Sequence, residues 1–341
     1  MSTNDLASVA QALVAPGKGI LAADESTSTI GKRFQSINLA NSEENRRAYR
    51  DLLFTTRGAG QYISGVIMYD ETIRQKTKDG TPFPKALEKE GTIPGIKVDT
   101  GAHALPGFPE EKITEGLDGL RDRLATYRGL GAKFTKWRAV ITIGRGIPTP
   151  YCLHANAHAL ARYAALAQEA GLVPIVEPEV LMDGDHTLQR CEEITEATLK
   201  RVFSELHAHR VVLEHMLLKP NMVIAGKSCP KQAGVEEVAE ATVRCLLRSV
   251  PAAVPGIVFL SGGQSPEEST EHLNAMNTLG RHPWELSFSY GRALQDAALK
   301  AWRGDATNVS AAQKAYLHRA KCVGAARYGK YTKQMEVSVA A

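Results

Sequence analysis

Lys219 closes the apolar run Val211-Val212-Leu213-Glu214-His215-Met216-Leu217-Leu218 and is followed at once by Pro220. The run is too short for a typical helix and proline stops it, so it reads as a buried β-strand whose last residue is a lysine. An amine placed there, among Leu and Met, either snorkels to solvent or loses its hydration. Desolvation disfavours the charged form and moves a lysine pKa from about 10.4 toward neutrality. A neutral amine attacks carbonyl carbon, which is how Schiff-base chemistry begins. A lysine that merely marks the end of a strand is the competing reading, and this stretch alone leaves the two level.

Residues fit for chemistry recur at the ends of other short apolar runs: Asp24, Lys97, Lys136 with Arg138, Glu177 with Glu179, Ser261-Gly262, and Gly291-Arg292. Any one of them reads most simply as a solvated strand end. Lys136 and Arg138 are two residues apart, as are Glu177 and Glu179, so on a strand each pair points to one side. Together they predict a dense pocket of mixed charge in which cations lower the pKa of Lys219 further and carboxylates move protons. Ser261-Gly262-Gly263 offers a hydroxyl and unobstructed backbone N–H groups, and Gly291-Arg292 opens a helix; both suit a phosphate. Ser26, Thr29, Lys32, Arg33 and Lys97 form a second candidate anion site, expected across the same mouth. Two phosphate sites flanking an amine suggest a bisphosphorylated carbonyl substrate.

The elements that must position these residues alternate regularly. Strands are predicted at 19–24, 62–68, 93–99, 132–139, 173–179, 211–219, 257–263 and 286–291. Helices are predicted at 4–14, 42–57, around 117–127, and at 154–169, 192–209, 235–249, 292–302 and 310–326, with one more beginning at Ser265-Pro266-Glu267-Glu268. Asn4 or Asp5 is the expected cap of the first helix and Asn41 of the second. The polar, small-residue tail from Gly329 is expected to be mobile. Eight short strands separated by helices predict a (β/α)₈ TIM barrel, whose catalytic residues gather at the C-terminal strand ends. The barrel is placed at about 17–305, in a single domain that runs from 1 to 341, with an N-terminal helix and a C-terminal helical extension. An open doubly wound sheet would carry a glycine fingerprint after its first strand, and Gly17-Lys18-Gly19 stands before that strand without a third glycine.

Composition bounds the function. The 341 residues are 43% hydrophobic and 23% charged, ordinary for a globular protein with a sizeable core. A net charge of +4 is too mild and dispersed to argue for nucleic acid. Five cysteines, none spaced C-x-x-C, fit a reduced cytoplasmic protein without a disulfide framework or zinc site. Neither a signal peptide nor an apolar run of about 20 residues is present, so no membrane role is expected.

These stretches closely resemble those of class I fructose-1,6-bisphosphate aldolases. The likeness runs from about Gly17 to Tyr331 through Gly19-Ile20-Leu21-Ala22-Ala23-Asp24-Glu25-Ser26, Gly95-Ile96-Lys97-Val98-Asp99, Phe134-Thr135-Lys136-Trp137-Arg138, Val176-Glu177-Pro178-Glu179, Leu217-Leu218-Lys219-Pro220-Asn221-Met222, Phe259-Leu260-Ser261-Gly262-Gly263-Gln264-Ser265 and Phe288-Ser289-Tyr290-Gly291-Arg292-Ala293-Leu294. The resemblance implies a TIM barrel, usually a homotetramer, that needs no cofactor or metal. It implies Lys219 as Schiff-base lysine, Glu177 as acid/base for the imine, and Asp24 as acceptor of the C4 hydroxyl proton. Lys136 would supply charge beside the amine, with Glu179 and Arg138 in support. Ser261, Gly262 and Arg292 would hold the ketone-side phosphate, and Ser26, Thr29 and Lys97 the aldehyde-side one.

The sequence departs from the family at several points. His215 and Ser28 replace common glycines, and Thr29 a common serine. Many members end in a tyrosine that helps protonate the enamine, whereas this sequence closes Val339-Ala340-Ala341. The tail from 333 to 341 is therefore expected to play no part in proton transfer. Other readings are a zinc-dependent aldolase, an inactive scaffold, or another Schiff-base barrel such as a transaldolase. His154-x-x-x-His158 has metal-ligand spacing on a helix but lacks the Glu of H-E-x-x-H, and reads as a surface pair; His207 and His209 read as a polar helix end.

Overall fold

The computed structural model describes residues 3 to 337. Its chain order is α1 (Thr3–Leu13), β1 (Gly19–Ala22), α2 (Thr27–Gln35), α3 (Glu43–Phe54), β2 (Ile63–Met68), α4 (Asp70–Arg74), α5 (Phe83–Lys89), β3 (Ile93–Lys97), β4 (Gly101–Ala104), β5 (Lys112–Glu115), α6 (Leu120–Gly129), β6 (Phe134–Ile141), α7 (Pro150–Glu169), β7 (Val173–Val180), α8 (Leu188–Ala208), β8 (Leu217–Leu218), α9 (Val235–Ser249), β9 (Gly256–Phe259), α10 (Pro266–Thr278), β10 (Glu285–Tyr290), α11 (Arg292–Trp302), α12 (Val309–Ala326) and α13 (Gln334–Val337). Eight strands close into a parallel barrel in the order β1-β10-β9-β8-β7-β6-β3-β2, while β4 and β5 form a separate antiparallel pair. The expected (β/α)₈ architecture is present, with Ile20 of β1 meeting Ser289 of β10 to complete the ring.

Barrel strands are buried on both faces, which is why they read as near-continuous apolar runs. β2 and β7 are buried throughout. One apolar cluster lies inside the barrel and includes Ile20, Ile67, Phe134, Ile175, Leu217 and Val258. Leu6, Ala10, Leu13 and Val14 of α1 and the turn after it join that same cluster, so the N-terminal helix plugs the barrel. Glycine makes room for the plug: a Cβ on Gly256 would lie 2.5 Å from Val14, and one on Gly65 would lie 2.6 Å from Leu13. A larger cluster joins the outer strand faces to the surrounding helices.

Several expectations need correction. Only Leu217–Leu218 of the predicted 211–219 strand pairs with its neighbours. Val212 is exposed and Leu213–His215 form a 3₁₀ turn, held by Gln168 of α7, whose side chain both donates to and accepts from the Val212 backbone. The apolar run therefore spans a half-exposed connection as well as the buried strand. The cap of α3 is Ser42, whose hydroxyl accepts from Asn45 N–H, and Asn4 and Asp5 lie inside α1 instead of capping it. Helix α2, the short helices α4 and α5, and the β4–β5 pair were not anticipated. The strong start at Ser265 is a full capping box with Glu268.

Over its described part the tail makes side-chain contacts with the helices beneath it. Tyr331 is buried, and its hydroxyl donates to Glu336 at 2.7 Å. Glu336 also pairs with Arg319 of α12, and Lys333 with Glu271 of α10 at 3.0 Å. The remainder of the predicted tail, 338–341, lies outside the described residues. No helix among the described residues is long and apolar enough to cross a membrane. All five cysteines are free and buried.

Candidate active site

The parallel register of the barrel strands brings the predicted chemistry together. Lys97 of β3 stands opposite Lys136 of β6, and Arg138 stands opposite Glu177 of β7. Lys219 follows β8, next to β7, with its backbone N–H donating to Val176 at 2.8 Å. Lys136, Glu177, Glu179 and Lys219 are all buried, at 3 to 5% exposure, so their charges must be satisfied within the barrel.

Those charges form a continuous chain. The Lys219 amine lies 3.2 Å from Glu177 Oε1. Glu177 Oε2 lies 3.1 Å from the Lys136 amine, which in turn stands 2.7 Å from Asp24 Oδ2 at the end of β1. Beside it, Glu179 binds Arg138. Asp99 pairs with Lys97 at 2.7 Å and accepts the backbone N–H of Arg138 at 3.2 Å. Four carboxylates (Asp24, Asp99, Glu177, Glu179) thus face four cations (Lys97, Lys136, Arg138, Lys219).

Burial and partners act in opposite directions here, and the partners win. Burial pushes the Asp24 carboxyl up, but Lys136, Lys219 and Lys97 hold it far below the ordinary carboxylate range. Glu177 behaves likewise, with Lys136, Lys219 and Arg138 outweighing its burial. Burial pulls the Lys136 amine down, yet Asp24, Glu177 and Asp99 raise it well above a free lysine. Asp24 and Glu177 are therefore ionised bases, and Lys136 is a fixed positive charge between them.

The predicted phosphate residues are placed less uniformly. Ser261 is buried just beyond β9, and Gly262 follows it so close to Glu179 that an added Cβ would stand 3.2 Å from the carboxylate. Gly291 and the exposed Arg292 open α11 after β10, next in the ring to β9. Ser26 caps α2; its hydroxyl accepts from Thr29 N–H and lies 3.1 Å from the Thr29 hydroxyl. Lys32 is exposed on α2. Arg33, on the same helix, has contacts of its own. Its guanidinium pairs with Glu25, and a Cβ on Gly291 would stand 3.7 Å from it. Because β1 neighbours β10, Arg33 also stands beside the Gly291 corner.

Sequence reasoning overlooked two supports. Asp99 orients Lys97 and the Arg138 backbone, and its position two residues after Lys97 was the available signal. Glu25 joins Arg33, Arg50 of α3 and Gln295 of α11, which anchors α2 and hence Ser26 over the mouth. Its partners are 8 to 270 residues away in sequence, so no local signal existed.

Comparisons with known proteins agree over nearly the whole chain. The profile of the family described as class-I fructose-bisphosphate aldolase matches residues 5–341. A probable class 1 fructose-bisphosphate aldolase of Xanthomonas campestris is 63% identical over 332 residues, 97% of this chain and 99% of the relative. A fructose-bisphosphate aldolase of Dictyostelium discoideum is 54% identical, over 96% and 93% of the two chains. The solved structure of fructose-bisphosphate aldolase from Plasmodium falciparum superposes with a TM-score of 0.95 at 52% identity, covering 96% of this chain and 95% of that one. With its amine, ion-paired carboxylates and closed barrel in place, the chain belongs to the class I fructose-bisphosphate aldolase family.

Proposed function

We propose that this protein reversibly cleaves fructose 1,6-bisphosphate to dihydroxyacetone phosphate and glyceraldehyde 3-phosphate, with Lys219 as the residue that forms the Schiff base. The observation that carries this reading is the unbroken chain from Lys219 through Glu177 and Lys136 to Asp24. It sets a nucleophile, a proton carrier, a fixed cation and a second base side by side at the barrel mouth.

The amine of Lys219 attacks the C2 ketone. Glu177, 3.2 Å away, takes and returns the protons that turn the carbinolamine hydroxyl into departing water. The resulting iminium is the electron sink. Asp24, ionised at neutral pH, accepts the C4 hydroxyl proton as the C3–C4 bond breaks and its electrons pass into the enamine. Glyceraldehyde 3-phosphate leaves, the enamine is protonated at C3, and water returns the ketone and the free amine. Lys136 stays charged throughout and stabilises both carboxylates. Ser261, Gly262, Gly291 and Arg292 bind the ketone-side phosphate; Ser26, Thr29, Lys32, Arg33 and Lys97 serve the other, with Arg33 reaching it from the Gly291 side. Glu179 and Arg138 hold the wall between.

The reading extends to the whole molecule. Residues 1–341 act as one aldolase domain, in the cytoplasm, as a homotetramer, with sugar phosphate as the small-molecule partner and neither nucleic acid nor membrane involved. Borohydride added with substrate reduces the imine, inactivates the enzyme and labels the peptide containing Lys219. A label on Lys97 or Lys136 instead would falsify the assignment. Because the imine itself supplies the electron sink, cleavage measured after EDTA treatment and dialysis stays at the untreated rate; activity lost to EDTA and restored by zinc overturns the Schiff-base reading.

A further inference from the structure

The histidine pair that sequence spacing left as a surface feature is half of a larger cluster. His154 and His158 lie one turn apart on α7, and Glu205 lies one turn before His209, which ends α8. Each pair presents one helix face. Packing of α7 against α8 turns the two faces toward each other, so three imidazoles surround one carboxylate. We propose that His158, Glu205 and His209 form a zinc-binding site on the outside of the barrel, separate from the catalytic residues, with His154 beside the same carboxylate.

Geometry is the first support. Ligand atoms of His158, Glu205 and His209 lie within 4.8 Å of one another. His154 Nδ1 stands 3.3 Å from Glu205 Oε1, and His158 Nδ1 stands 3.4 Å from Oε2. Both separations exceed the 2.7–3.2 Å of an ordinary N–H···O hydrogen bond. The two reach different carboxylate oxygens, and the His158 separation matches the spacing of about 3.3 Å between two ligand atoms on a tetrahedral zinc with bonds of about 2.0–2.1 Å.

The surroundings are the second support. His209 Nδ1 lies 2.9 Å from the Glu205 carbonyl and 3.9 Å from its Oε2; in the tautomer that donates Nδ1–H to the carbonyl, Nε2 keeps the lone pair a metal needs, the arrangement that orients a histidine ligand. The His209 ring also packs edge-on to His158, with centroids 4.8 Å apart. The Glu205 side chain is only 13% exposed, and among the described residues its ion-pair partners are histidines alone. A divalent cation held there compensates the largely buried carboxylate. Imidazole nitrogens select a transition metal over calcium or magnesium, and two imidazoles with one carboxylate, the fourth position left to water, suit zinc. The ion would bridge α7 and α8, the helices that follow the strands bearing Lys136 and Glu177. The other cluster of potential ligands, His318, Cys322 and Glu336, is less suited, because Glu336 is already engaged by Arg319 and Tyr331.

The test uses the full chain without a histidine tag, stripped with chelator and dialysed. Calorimetric titration with zinc chloride gives one ion per chain, and a hundredfold excess over Kd raises the melting temperature by about 3–5 °C. His158→Asn combined with Glu205→Gln weakens binding at least tenfold and abolishes the thermal shift. His158→Asn with His209→Asn, which leaves the buried carboxylate intact, does the same and serves if the first variant folds poorly. Cobalt in place of zinc shows d–d bands without sulfur-to-metal charge transfer. Absence of stoichiometric binding, or affinity within threefold of wild type in the folded variants, overturns the proposal. A thiolate charge-transfer band also overturns it, moving the ion to Cys322.

Discussion

Asp24 shows how far a single residue's role depends on its neighbours. An aspartate ordinarily ionises near 3.9, and burial alone would raise that value. Three lysines reverse the effect and keep Asp24 ionised at neutral pH. Asp24→Asn keeps the shape but cannot accept the C4 hydroxyl proton. General-base steps are worth about 10²–10⁴-fold, and turnover falls by that order in steady-state cleavage assays, while borohydride still traps the imine on Lys219. Turnover within threefold of wild type rules Asp24 out as the base.

Among the elements, the described tail is the one whose behaviour changed most on going from sequence to structure. Its polar composition predicts mobility, yet Glu336 on α13 satisfies the buried guanidinium of Arg319, whose side chain is 5% exposed. Arg319 in turn donates to the Pro266 carbonyl and the Thr270 hydroxyl of α10. Breaking a buried charged pair from one side costs about 3–5 kcal/mol when no water can replace the partner, and less at this partly accessible one. Glu336→Gln lowers the melting temperature by several degrees in calorimetry; an unchanged melting curve shows the clamp is not formed in solution. Chemistry is a separate matter. Deleting residues 333–341 leaves cleavage of fructose 1,6-bisphosphate and tritium release from labelled dihydroxyacetone phosphate nearly unchanged, assayed well below the lowered melting point. Tritium release slowed tenfold or more, about 1.4 kcal/mol of barrier, makes the segment catalytic.

For the molecule as a whole, the ion-paired interior ties stability to pH. Asp24 and Glu177 titrate below their unfolded values, so the unfolded chain binds more protons on the acid side. Their contribution is complete above about pH 4–5 and is lost as pH falls toward their lowered native values. Lys136 titrates above its unfolded value, so its contribution is complete below about pH 10 and is lost as pH rises through the raised native value. Melting temperature followed against pH therefore falls in acid, and in Asp24→Asn the acid limb is shallower than in wild type. Superimposable acid limbs in the two proteins refute this linkage.

What the sequence determined by itself is the set of groups and their faces. Period-two spacing put Lys136 with Arg138 and Glu177 with Glu179 on common sides, because side chains alternate along any strand. Alternating apolar runs and helical patterns implied a parallel barrel, and a parallel barrel sends its strand ends to one mouth. Caps with a local mechanism, such as Ser265 with Glu268, were also legible. Only the tertiary structure decided which groups touch. The link from Lys219 to Asp24 joins β8, β7, β6 and β1, and its distances follow from the register of four strands scattered over 195 positions. Arg33 meets the Gly291 corner because ring closure makes β1 a neighbour of β10, a fact with no local trace. His154 and His158 gained Glu205 and His209 for the same reason: helix spacing is written in the sequence, while the angle and offset at which two helices pack are settled by the whole core.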